Sequence, residues 1–113
     1  MMNNFKEQFE ILEQNKELQN AVNQYLIKNG VSSKLKGFQY FSDIATIGLV
    51  NKKYSKTFMK DIFPFIAHKY NIKEFSVQRQ LRYTFTIACE RKIRPEDLYQ
   101  CLWFDYKMGK LEI

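Results

Sequence analysis

Apolar residues recur along this chain at spacings of three and four, and almost nowhere at two. That period belongs to helices. Phe5, Phe9 and Leu12 make a first stripe. The pattern weakens at Gln14 to Lys16, resumes at Leu18, Val22, Tyr25 and Leu26, and stops at Asn29-Gly30, a good helix C-terminus. Residues 4–29 are therefore expected as one long helix, or as two with a break near 15, with Asn3 or Asn4 as a candidate first cap. GVSSKLKG, residues 30–37, is a polar connector. A helix from Phe38 to about Asn51 carries Phe41, Ile44, Ala45, Ile47, Gly48 and Leu49 on a face wide enough for the centre of a core.

The next pattern starts at Ser55, a candidate cap, with Phe58, Met59, Ile62, Phe63 and Ile66 facing inward. Pro64 falls inside it. Either this helix is kinked or Pro64 opens a separate helix over 64–70. A fourth helix is expected from Ser76, its N-cap, to Lys92, with Val77, Leu81, Phe85 (or Thr84), Ala88 and Cys89 inward. A fifth runs from Pro95 to about Met108, packed through Leu98, Cys101, Leu102 and Tyr106, with Trp103 or Phe104 at its flank, and Gly109 ends it. No stretch alternates as a strand would. The expectation is a single all-α domain over residues 1–113. It is a five- to six-helix bundle containing a helix-turn-helix, with 1–17 as an additional N-terminal helical segment before the 18–113 body.

Charge sharpens this picture. The net charge is +6 over 113 residues, and it is unevenly placed. Residues 1–18 set four glutamates against Lys6 and Lys16. Residues 68–94 set seven lysines and arginines against Glu74 and Glu90. A basic segment on a neutral body is the footprint of a polyanionic partner. The two cysteines, Cys89 and Cys101, sit at apolar helical positions and read as buried free thiols. With the single His68 they cannot build a zinc site. Phosphate-loop and hydrolase motifs are absent, so neither an enzyme nor a cofactor or metal is expected. No apolar run has membrane-spanning length and MMNNFKEQFE is not a signal peptide, which makes the cytoplasm the expected location.

Within the basic segment, Ser76, Gln78, Arg79, Arg82 and Tyr83 point away from Val77, Leu81 and Phe85. Such side chains on the first turns of a helix read base edges: arginine pairs with guanine, glutamine with adenine. Lys69 and Lys73 flank the turn before it. The expected partner is double-stranded DNA, with Ser76, Gln78 and Arg79 on bases and Lys69, Lys73, Arg82 and Tyr83 on phosphates. The alternative is a protein-interaction module, an inhibitor or antitoxin-like adaptor on a degenerate helix-turn-helix. Its contact would be the Phe5, Phe9, Leu12 stripe, which could equally serve a homodimer, or the aromatic C-terminal helix. RNA is the third reading, but no aromatic platform for it is evident.

Four local patterns add a resemblance. GVSSKLKGFQYFSDIATIGL (30–49), DIFPFIAHKY (61–70), SVQRQLR (76–82) and PEDLYQCLWFDYKMGK (95–110) resemble the C-terminal DNA-binding domain of the sporulation master response regulator of Firmicutes. The matched patterns lie over roughly two-thirds of the chain. The resemblance implies an all-α fold with a helix-turn-helix that binds a short DNA box, often in tandem, and regulates transcription. It puts Arg79 where the family has a base-reading arginine and Arg82 at the next matching one. Gln78 replaces a glutamate and Ser76 an arginine, so the base preference is expected to differ. The loop Lys92 to Pro95 is shorter than the family's, which argues against tandem assembly. No receiver domain precedes the match, so a stand-alone relative is expected.

Overall fold

The computed structural model describes residues 5–54 and 61–111. Among these the chain forms six α-helices and no strand: α1 (Lys6–Gln14), α2 (Lys16–Lys28), α3 (Lys36–Val50), α4 (Phe63–Tyr70), α5 (Glu74–Arg82) and α6 (Pro95–Lys107). A short 3₁₀ turn, Lys52–Tyr54, follows α3, and a π-helical segment, Tyr83–Ile87, continues α5. The expected caps Asn3, Asn4 and Ser55, with Phe58 and Met59, lie outside the described residues.

The break near residue 15 falls at Asn15, whose side-chain amide donates to the Ile11 carbonyl at 2.8 Å and closes α1. Pro64 lies in the first turn of α4, where its missing N–H belongs to the donors that have no helical partner anyway. A separate helix at 64–70 is therefore the correct reading of that stretch, not a kinked one.

α3 is the centre of the molecule. All but three of its fifteen residues are buried, and α1, α2, α4, α5 and α6 all pack on it. A helix whose residues are buried on nearly every side belongs at the centre of such a bundle, and its buried Ser42, Asp43 and Thr46 are tolerated there because they are hydrogen-bonded. Its two glycines mark the closest approaches. At Gly48 an added Cβ would lie 2.5 Å from the Tyr99 hydroxyl oxygen and 3.1 Å from its Cζ, so α6 rests on α3 there. Gly48→Ala should cost about 1–3 kcal/mol, the usual penalty of overpacking. The conflict is with the far end of a side chain, so Tyr99→Phe in the same background should recover part of the loss in urea denaturation.

The α1 stripe covers this core. Leu12 is buried and Phe5 half-buried. The Phe5 and Phe9 rings meet Phe65 of α4 edge-on, with centroids 5.9 and 4.8 Å away. Phe9 keeps 40% of its surface exposed.

Three expectations are corrected. The fourth helix is shorter than 76–92: α-geometry ends at Arg82 and the chain passes into the π turn, with the Ala88 N–H on the Tyr83 carbonyl at 2.8 Å. The Thr86 hydroxyl also bonds back to the Arg82 carbonyl at 2.6 Å, a competition that β-branched hydroxyl residues offer a helix. The wider turn shifts the phase, so Cys89 is buried and Ala88 exposed. Ser76 is not the N-cap. Lys73 holds that place, its carbonyl accepting from the N–H groups of Ser76 and Val77, and Ser76 lies half-buried in the first turn. Cys101 is exposed, because the inward face of α6 is made by Leu98, Tyr99 and Leu102.

Candidate nucleic-acid interface

α4, a three-residue turn and α5 form the helix-turn-helix. The turn is made by Asn71, at φ 54°. Asparagine tolerates this left-handed conformation better than most side chains. The Ile72 N–H returns to the Ala67 carbonyl at 2.9 Å and the Asn71 N–H to that of His68 at 3.3 Å. This pairing closes the C-terminus of α4 and reverses the chain within one turn.

α5 is then oriented by burial. Val77 and Leu81 are 0% and 2% exposed, which turns the opposite side of the helix to solvent. Gln78, Arg79 and Arg82 are exposed there, as is Tyr83 at the start of the π turn. Ser76 is half-buried at the edge. Lys73, exposed at the N-cap, leaves the first turn of α5 without a side-chain cap. Its uncapped N–H groups and positive dipole end favour an anion.

Lys69 does not join this group. Its ammonium lies 2.7 Å from Oδ2 of Asp43, a side chain only 1% exposed. The same carboxylate accepts from the Tyr70 hydroxyl at 2.7 Å and, through Oδ1, from the Gln19 amide at 2.6 Å. Gln19 also donates to Ser42 at 3.1 Å, and Ser42 donates to Asn23. Burial, with the Asp43 charge second, pushes the Tyr70 phenol well above its ordinary range, so it stays a donor. The network joins α2, α3 and α4 behind the helix-turn-helix and fixes the first of its two helices.

Two residues enter the site that periodicity did not place there. Phe75 was expected in the turn; α5 begins two residues before the expected Ser76, at Glu74, so Phe75 lies in its first turn, 68% exposed. The Arg79 guanidinium carbon stands 5.5 Å from the Phe75 ring centroid. Arg94, at the N-cap of α6, closes the far side of a groove of about 730 Å³ that also borders Arg79 and Arg82. Its guanidinium pairs with Asp97 at 3.1 Å. Among the described residues no three His, Cys, Asp or Glu side chains converge on a metal position, and no helix is long and apolar enough to cross a membrane.

A small helical bundle that presents the second helix of a helix-turn-helix, basic and outward, is built as a DNA-binding domain. Residues 22–109 match the family described as "Sporulation initiation factor Spo0A C terminal". The match covers most of the chain, and the chain belongs to that family of helical, DNA-binding regulators of transcription. The family is not a catalytic one. No solved structure matches the chain.

Proposed function

We propose that the chain binds double-stranded DNA in a sequence-specific way, with α5 in the major groove. The observation that carries this is the orientation of α5: its buried Val77 and Leu81 put Gln78 and Arg79 outward together in its first two turns. In this reading Arg79 pairs with guanine, Gln78 favours adenine, and Ser76 reaches a base from the edge of the face. Lys73, Arg82 and Tyr83 hold phosphates, while Lys69 braces α4 through Asp43. Phosphate contacts then dominate affinity and make it salt-dependent.

The test is duplex binding over a salt series, alongside selection from random sequence. Arg79→Ala should lose about 1–3 kcal/mol of binding and relax preference at one position. Lys73→Ala should weaken every duplex alike and make the salt slope shallower by about one. If Arg79→Ala kept both affinity and preference, the recognition-helix assignment would fall.

A protein partner or homodimer is the second reading. It is supported less by Phe5, Phe9 and Leu12, which mostly cover the core, than by α6 and its C-terminal end, where Phe104 is 61% and Met108, the residue after the helix, 60% exposed. Absence of DNA binding at low salt would favour it.

A further inference from the structure

Phe75 is one of the most exposed large apolar side chains of the chain, and it stands in the middle of the surface that would face DNA. The helix turns about 100° per residue. On that spacing Phe75, Arg79 and Arg82 lie within about 60° of one another, and Val77 and Leu81 lie on the far side. Water gains nothing from an aromatic ring in this position, and α5 has core partners elsewhere. A neutral apolar ring between two arginines is also no help in holding a phosphate. It does have a partner in the major groove, where the thymine C5-methyl group is the apolar feature that a base pair presents, and phenylalanine is among the side chains that contact it.

We infer that Phe75 is a specificity-determining residue that reads a 5-methyl pyrimidine, thymine in ordinary DNA, at the step beside the guanine taken by Arg79. The inference rests on the major-groove reading of α5 and goes beyond it, since hydrogen-bonding residues alone define no methyl requirement. The ring has two contacts in this arrangement. One side lies against the Arg79 guanidinium, 5.5 Å from centroid to carbon, which limits the rotamers of the arginine before DNA arrives. The rest of its exposed surface meets the methyl group. The pair therefore reads two adjacent bases as a unit, one by apolar contact and one by bidentate hydrogen bonds.

The experiment uses the full chain and the duplex enriched by selection. Each thymine of that duplex is replaced in turn by deoxyuridine, which differs only by the missing methyl group. Wild-type protein should lose affinity about fourfold at one position, the worth of one buried methyl-sized group, and that position should adjoin the guanine whose preference Arg79→Ala relaxes. Phe75→Ala should bind the thymine and deoxyuridine duplexes equally. Its thermal midpoint should stay at the wild-type value, because the side chain buries little in the fold. If wild type is indifferent to the methyl group at every thymine, or Phe75→Ala discriminates as well as wild type, this inference is wrong while the reading of α5 stands. If no sequence is enriched at all, both are wrong.

Discussion

Asp43→Ala should destabilise the protein by about 3 kcal/mol, the lower end of the 3–5 kcal/mol that follows when one member of a buried ion pair is removed. Asp43 lies in the central helix with no exposed surface and accepts from Gln19, Lys69 and Tyr70. Alanine leaves the Tyr70 hydroxyl and the Gln19 amide without their acceptor in places where water cannot fully replace it. Lys69 softens the loss, since its side chain is 28% exposed and can turn outward. Asp43→Asn keeps the size and one acceptor oxygen but not the charge, and should cost less, about 1–2 kcal/mol. Combining Asp43→Ala with Lys69→Met should cost less than the two changes added, because the second removes a group that the first has already orphaned. Urea denaturation with an unchanged slope reads all of these as shifts in midpoint. A midpoint for Asp43→Ala within error of wild type would mean that the network contributes nothing to holding α2, α3 and α4 together.

That network also shows where reading along the chain stops. The stripe of Val77 and Leu81 is a local pattern and was legible because a helix repeats every 3.6 residues; the break at residue 15 and the separate helix around Pro64 were each one of two readings that the pattern left open. The outward position of Gln78, Arg79 and Arg82 followed from the same period. The pairing of Lys69 with Asp43 was not legible because the two are 26 residues apart in the sequence, and no periodicity links them. Phe75 was missed because a boundary error of two residues put it in the turn instead of the helix. Its spacing of four from Arg79 was the available signal. Ala88 and Cys101 were placed inward by an ideal α-period. The π turn shifts the phase before Ala88, and in α6 the neighbouring Leu102 and Tyr99 already fill the inward face. Local chemistry predicted elements well; pairing between elements had to be seen.

The contact between α3 and α5 sets the position of α5, and Gly37→Ala should disturb it strongly. An added Cβ there would fall 2.2 Å from Thr84 Oγ1, 2.5 Å from the Gln80 carbonyl oxygen and 2.6 Å from Thr84 Cβ. Alanine is the better helix former by about 1 kcal/mol, yet the steric term prevails. The expected net loss is about 3 kcal/mol, the upper end for overpacking, because two of the three obstacles cannot rotate away. Rotating the Thr84 hydroxyl clears one of them. The carbonyl belongs to the backbone of α5, and a Cβ moves only with its own chain. The helix must therefore shift from α3, carrying Gln78 and Arg79 with it. Thr84→Ala should restore little in the Gly37→Ala background, whereas Tyr99→Phe relieves Gly48→Ala, where the obstacle is the end of a side chain. At temperatures where the variant remains folded, its affinity for DNA should fall although none of the residues proposed to face DNA has changed. Full recovery of stability by Thr84→Ala would show that only a hydroxyl stood in the way, and that the backbones of α3 and α5 have room to spare.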